Sequence, residues 1–449
     1  MNKGKLFQST IVAALAGFIF GFDMVVISGA DKPIQALWHT TPLFHGFFIM
    51  SMALWGTVIG SVFAGAPTEK YGRKKVLIWL GVMFIASAIG TALAQDPYTF
   101  SFFRLIGGIA IGVSSVAAPT YISEISNKNN RGKLVGMYQF NIVFGILIAY
   151  LSNYLLKGIG GENDWRWMLA VLLIPSVIYT LLTTSIPESP RWLLTTKNDE
   201  AAAKKTLEII GVENIDETIE EIKTAATEEK KFGAAKLFIA KHSKIISLAI
   251  FVAFFNQASG INFILYYAPR ILEKAGFASQ QSLLSSISIG LMNLIFTFVG
   301  LWLIDRIGRK TLLIIGSFGY IVSLSMVALS FYISASQLFL LTFLLLFIAS
   351  HAIGQGAVIW VLISEIFPNN VRSKGQALGS ATHWIFAALI TLVAPIFIND
   401  KNDGIFNSNP WPIFAFFAVM MVLQLVWILT KVPETKGVSL EELQKKLVQ

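Results

Sequence analysis

Cysteine is absent from all 449 residues, which excludes disulfides and thiolate metal sites but leaves the compartment open, since a membrane protein needs neither. Charge is scarce as well. Charged residues make up 14% against 55% hydrophobic, and a mean hydropathy of +0.65 is far too high for a soluble chain of several domains. No Asn-x-Ser/Thr acceptor occurs, which points away from a glycosylated eukaryotic surface protein. No G-x-x-x-x-G-K-[ST] loop is present either; in the nearest string, IGRKT, Arg309 stands in the way, so an ATP-driven pump is disfavoured. No metal-ligand cluster and no nucleophile triad is visible, so neither an enzyme nor a bound cofactor or metal is expected.

What remains is apolar length. Charged residues and Pro/Gly punctuation divide the chain into twelve stretches long enough to cross a bilayer, near 9–30, 44–66, 75–95, 98–121, 133–156, 166–186, 244–270, 282–304, 311–333, 337–363, 375–398 and 411–430. These predict an all-α membrane protein of twelve transmembrane helices. The first stretch follows Lys3 and Lys5 as a signal peptide would, but it is long, holds Asp23 and precedes eleven more, so it is expected to be retained.

A net charge of +9 suggests nucleic acid until the basic residues are placed. With the N-terminus inside, the inner connections hold Lys70, Arg73, Lys74, Lys75, Lys128, Arg131, Lys133, Arg306, Arg309, Lys310, Arg372 and Lys374. The outer ones hold only Lys32, Lys157, Arg166, Arg270, Lys274 and Lys401. This bias predicts that both termini are cytoplasmic and removes the need for a nucleic-acid partner.

The sequence also repeats itself. Asp305 in DRIGRK lies 236 residues beyond Glu69 in EKYGRK; Ser364, with Glu365, Arg372 and Lys374, lies 241 beyond Ser123, with Glu124, Arg131 and Lys133; Pro433 with Glu434 lies 246 beyond Pro187 with Glu188. Three matches in one order predict two pseudo-symmetric six-helix halves, 1–190 and 244–449, with a parallel repeat. Between them, 191–243 turns to Lys, Glu, Ala and Thr and reads as a cytoplasmic helical linker. There Asn198 or Asp199 caps a helix ending at Gly211, and Ile215, Ile219 and Ile222 stripe a second.

Polar groups inside the apolar stretches are the functional candidates. FFNQASGINFILYY, 254–267, places Asn256, Gln257, Asn262, Tyr266 and Tyr267 in one span. Amides facing lipid cost several kcal/mol, so these face the bundle interior or a wet cavity. On a straight helix Gln257 and Asn262 would point roughly 140° apart; a break at Gly260 would let them converge on one ligand. The alternative is that they only tie helices together. In the first half's spans Asp23 and Arg104 are the ionisable acid and base. They lie at matching depths, about 10 Å and 9 Å from the outer ends of spans one and four, so each is expected to be the other's counter-ion. Such a pair is either a static pin or a proton switch that rocking opens and closes. At the inner face Arg73, Glu124, Arg131 and Glu188 in one half, and Arg309, Glu365, Arg372 and Glu434 in the other, are expected to pair across span ends as an inner gate. Simple topogenic charge is the alternative.

With these residues in place the chain resembles the sugar porter family of the major facilitator superfamily over essentially its whole length. The motifs are GFIFGFDMVVISGA (17–30), EKYGRKK (69–75), FFRLIGGIAIG (102–112), PTYISEIS with RGK (119–133), PESPRWLL (187–194), NQASGINFILYYAP (256–269), DRIGRK (305–310), SEIFPNNVRSK (364–374) and PETKG (433–437). The resemblance implies an alternating-access carrier for a monosaccharide or related polyol, with Gln139, Gln257, Asn262, Asn293, Trp360 and Trp384 lining the sugar site. It implies proton coupling through Asp23, where facilitative members often carry Asn. Amides suit sugar hydroxyls and indoles suit the flat C–H faces of the ring. Asn256, Tyr266 and His383 are further candidates.

The departures are specific. Asn256 replaces a usual Gln, Ala357 a usual Pro, Glu69 a usual Asp, and His383 a usual amide, so that His383 reads as a contact, a second titrating group or a structural histidine. Trp360 falls near the inner end of its span, and only a break at Gly354 or Gly356 would bring it to the site. The expectation is a proton:sugar symporter of the bacterial inner membrane, working as a monomer with sugar, proton and lipid as its partners. A facilitative uniporter of the same fold is the alternative. A sugar sensor would need a signalling segment, and twelve residues follow Gly437.

Overall fold

A computed structural model describes residues 3–127, 130–231, 236–368, 370–399, 409–438 and 447. Lys128 and Lys401, counted above in the connections, lie outside the described residues. Among the described residues eleven helices are long and apolar enough to span a membrane. Spans 1 and 3 to 6 are Gly4–Trp38, Arg73–Leu93, Pro97–Ile125, Arg131–Leu156 and Gly161–Thr184; spans 7 to 12 are Ala240–Lys274, Ser279–Ile307, Arg309–Tyr332, Gln337–Ile366, Arg372–Phe397 and Trp411–Lys431. The second span is a bent pair, Pro42–Met50 and Met52–Phe63, with 42° between its parts, which brings the number to twelve. This is the major facilitator fold, all-α among the described residues.

Local chemistry sets the breaks. Asp96 accepts the amide N–H groups of Tyr98 and Thr99 at 2.9 Å and so starts span 4; the bond from the Thr99 hydroxyl, with these N–H groups, holds its carboxyl below the usual carboxylate range. Spans 3 and 9 each begin just after a glycine in a conformation that L side chains avoid, Gly72 at φ +93° and Gly308 at φ +102°. Span 7 is interrupted where the amide geometry demanded it. One helix ends at Ala258, Gly260 turns left-handed at φ +84°, and the next helix starts at Ile261. In span 10 a π-helical turn over Ala352–Gly356 is the departure from regular helix.

The described chain separates into two compact units. One holds Met1–Met24, Trp55–Ile146 and Leu169–Ala235. Its linker helix Glu200–Ile210 is capped by Asp199, whose carboxylate accepts from the Ala202 amide at 2.9 Å, and ends on Gly211 at φ +77°. The second linker helix, Ile215–Lys231, buries Ile219 and is tied to the first by exposed pairs, Lys204 to Asp216 and Lys223 to Glu200. The other unit holds Val25–Leu54, Leu147–Met168 and Lys236–Gln449. Its core is aromatic, with Phe263 packed against Phe414 and Phe417 at ring separations of 5.6 and 5.7 Å.

Span 1 is longer than hydropathy predicts. It runs on past residue 30 to Trp38 and carries Asp31 inside it, 1% exposed. Arg270, read from sequence as an outer connection, is 2% exposed within the second helix of span 7. These two corrections share a cause, taken up below.

Candidate functional site

Asp23 and Arg104 meet inside the first unit. An Nη1 of Arg104 donates to Asp23 Oδ1 at 2.7 Å, and both Nη atoms lie 3.4 Å from the Asp23 main-chain carbonyl. The side chains are 3% and 1% exposed, so the pair is buried. It is also incompletely satisfied. Asp23 Oδ2 and Arg104 Nε have no hydrogen-bond partner among the described residues. A carboxylate oxygen left open beside a counter-charge is where a proton can be received without dismantling other bonds.

A second constellation stands in the other unit, on spans 7, 10 and 11. Gln257 Nε2 lies 3.0 Å from His383 Nε2 and donates to Asn256 Oδ1 at 3.2 Å. With its amide hydrogens so used, the Gln257 carbonyl oxygen is buried and has no partner among the described residues, nor has the Asn262 amide nitrogen beyond the Gly260 break. One open acceptor and one open donor are what a hydroxylated ligand needs. Asn293 on span 8 is 6% exposed. The His383 ring packs 5.0 Å from Trp360 and 4.7 Å from Trp384, the latter edge-on at 83°. Trp360 therefore lies against the His383 ring despite its place late in span 10, and Ala352–Gly356 remain helical as a π-turn rather than breaking the span. Tyr266 is fully buried, while Gln139 is half-buried on span 5 in the first unit.

The inner-face motifs fold into twin clusters. Arg73 Nη2 meets Glu124 Oε1 at 2.8 Å, and Arg309 Nη2 meets Glu365 Oε1 at 2.9 Å. The other carboxylate oxygen of each glutamate accepts a hydroxyl, from Ser189 at 2.5 Å and Thr435 at 2.6 Å. Glu188 and Glu434 bind backbone rather than guanidinium. Glu188 accepts the amides of Arg73, Lys74 and Ser189, and Glu434 those of Arg309, Lys310, Thr435 and Lys436. Burial alone would raise the Glu434 carboxyl; the four N–H donors outweigh it and hold the group below its ordinary value. The remaining two arginines do not join. Among the described residues Arg131 and Arg372 make no ion pair; Arg372 donates to the Phe367 carbonyl at 3.4 Å, and Arg131 shares with Arg73 and Glu124 the wall of a cavity of about 790 Å³.

A sequence model of the family described as Sugar (and other) transporter matches residues 9–447. The chain belongs to this family. Among curated relatives, the D-xylose-proton symporter of Escherichia coli strain K12 is 32% identical, covering 99% of this chain and 96% of that protein. The arabinose-proton symporter of Bacillus subtilis is 33% identical, covering 99% and 95%. Among solved structures, the partially occluded inward-open form of the E. coli xylose transporter XylE superposes with a TM-score of 0.85 at 29% identity, covering 97% of this chain and all of that one.

Sequence reasoning missed several buried polar groups of the second unit. Gln355, in the π-turn, is 1% exposed with neither amide atom partnered among the described residues, and the Tyr320 hydroxyl bonds His351 Nδ1 at 2.6 Å. An amide between two glycines in an apolar span, and a histidine four residues before it, were the available signals. The buried trio of Asp31, His45 and Arg270 left a fainter one.

Proposed function

We propose that the chain is a proton:monosaccharide symporter working by alternating access. The observation that carries this reading is the buried Asp23–Arg104 pair with one carboxylate oxygen unpartnered among the described residues. Protonation of that oxygen weakens the hold of Arg104, the pair parts as the six-helix halves (1–190 and 244–449, with 191–243 as linker) rock, and the proton leaves on the other side. Gln257, Asn262 and Asn293 take the sugar hydroxyls while Trp360 and Trp384 take its apolar face; Gln139 is assigned the same task by the family pattern, and Asn256, Tyr266 and His383 support it. The Arg73–Glu124 and Arg309–Glu365 clusters, backed by Glu188 and Glu434, act as inner-gate latches, which Arg131 and Arg372 join in a state with that gate shut. Pentose-proton symport by the two relatives supports a pentose or similar aldose as cargo. The protein sits in a bacterial inner membrane with both termini cytoplasmic and acts as a monomer.

The test is uptake into sealed vesicles bearing an imposed pH gradient and potential, with labelled xylose and arabinose. Uncoupler-sensitive accumulation above the external concentration is expected. Equilibration without accumulation would leave only a facilitator.

A further inference from the structure

Buried charge recurs away from both sites, within the second unit. Asp31 on span 1 receives Arg270 Nη1 on both carboxylate oxygens, at 3.2 Å each. Its Oδ1 also meets His45 Nε2 on the first part of span 2 at 2.8 Å, while His45 Nδ1 faces the Thr40 hydroxyl at 3.0 Å. The guanidinium of Arg270 turns its Nε to the Ile398 carbonyl at the end of span 11, at 3.2 Å. All three side chains are at most 2% exposed. One residue further along, Lys32 pairs with Glu273 at 2.6 Å in the opposite charge sense, and the Lys274 ammonium donates to the Asn399 carbonyl at 2.6 Å.

We infer that Asp31, His45 and Arg270 are further working residues of the transport cycle, the latch that holds the outer ends of spans 1, 2, 7 and 11 together while the path opens inward. This role presupposes the carrier cycle and orientation proposed above. The latch fastens spans 1, 2 and 7 through a single carboxylate and span 11 through the Arg270 guanidinium, so any movement of span 7 away from span 1 must pull Arg270 from Asp31. In the closed arrangement both charges are dehydrated and compensate each other; in the open one both are hydrated. That makes the latch close to balanced, as a gate that must open each cycle requires, whereas a lone charge left in the closed state is strongly driven toward water. A purely structural pair has no reason to be reversible.

The balance gives a distinctive signature. Ile27 lies one turn inside Asp31 on the same helix and is fully buried, and the chain has no native thiol, so Ile27→Cys places one reporter under the latch. A membrane-impermeant maleimide added from outside reads its exposure, whatever the cargo. Asp31→Asn and Arg270→Gln, each leaving one buried charge unpaired, should raise the labelling rate at least tenfold. The Asp31→Asn/Arg270→Gln double variant, which buries no charge, should return to within about threefold of the parent. Folding is checked by monodisperse elution and full labelling after denaturation. Where a single variant is not recovered folded, His45→Phe, which keeps the ion pair and removes one ligand of Asp31, should raise labelling about threefold. Single variants that label like the parent, a double variant as fast as the singles, or a silent His45→Phe would each overturn the latch. Loss of sugar uptake with this labelling pattern intact would instead count against the cargo reading alone.

Discussion

Asp23→Asn separates coupling from carriage. In the variant the amide oxygen can still accept from Arg104, and the main-chain carbonyl that lies 3.4 Å from both Nη atoms is untouched, so the arginine keeps its place. What disappears is the titrating oxygen. Removing one charge of a buried pair costs about 3–5 kcal/mol in unfavourable cases, and the retained oxygens should hold the loss toward the lower end of that range. The variant is expected to fold with a reduced melting temperature.

The coupling itself has a calculable size. One proton moving through 100 mV supplies about 2.3 kcal/mol, which at RT of about 0.59 kcal/mol supports roughly fifty-fold accumulation of a neutral solute. In vesicles held at that potential the wild type should approach such a ratio and Asp23→Asn should stay near unity. Exchange of labelled for unlabelled sugar, which needs no net proton movement, should continue within a few-fold of wild type. Uncoupler-sensitive accumulation by the Asn variant would remove Asp23 from the mechanism. Loss of exchange together with accumulation would make the pair a structural pin, and a wild type that never exceeds unity would end the coupling argument altogether.

Three further outcomes follow from the geometry. Gln257→Ala removes an open acceptor from the amide cluster and should weaken sugar binding about tenfold, near 1.4 kcal/mol, by calorimetry or tryptophan quenching; unchanged affinity would place the sugar elsewhere. Gly260→Ala must hold φ at +84° and drive a methyl into the Phe417 ring, so it should destabilise the protein by more than the roughly 1–2 kcal/mol of the backbone term, whereas Gly276→Ala, at φ +92° with a 3.4 Å contact, should lose only that term. Equal melting temperatures for the two would refute the close approach. Glu434→Gln should lower stability at neutral pH, by an amount kept small by the group's solvent exposure. Because the folded protein holds this carboxyl below its ordinary 4.5, its contribution is complete above that pH and fades as pH falls further, so the melting curves of variant and wild type should converge there.

Different parts of this molecule were legible to different degrees, for physical reasons. The inner clusters could be read because they sit in water-facing connections, where a motif survives only if its polar groups find partners, and they occur twice: Glu188 and Glu434 cradle Gly72–Arg73 and Gly308–Arg309 in the same manner. The break in span 7 could be read because a glycine between two polar groups of an apolar span is the residue free to turn left-handed there. Pairing of Asp23 with Arg104 followed from matched depth. The identity of atoms left open, Gln257 Oε1 and Asn262 Nδ2, could not be read, since it depends on how His383 engages the neighbouring amide.

Asp31 and Arg270 escaped because topology rules count charges singly. A basic residue near the end of an apolar stretch reads as a connection, and an aspartate eight residues beyond Asp23 reads as the end of a span. Their partnership cancels both signals, letting helix 1 continue to Trp38 and Arg270 stay inside helix 7. A trace of the pairing was nonetheless present. The two residues are 239 apart, inside the 236 to 246 offset of the repeat, so they occupy the same end of corresponding spans, the first of each half. Opposite charges at equivalent positions of a repeat are what a symmetric scaffold needs to fasten one end to itself, since like charges there would repel. A search of repeated membrane chains for that antisymmetric pattern, rather than for conserved identity between halves, should find gates of this kind wherever burial makes an unpaired charge too costly to keep.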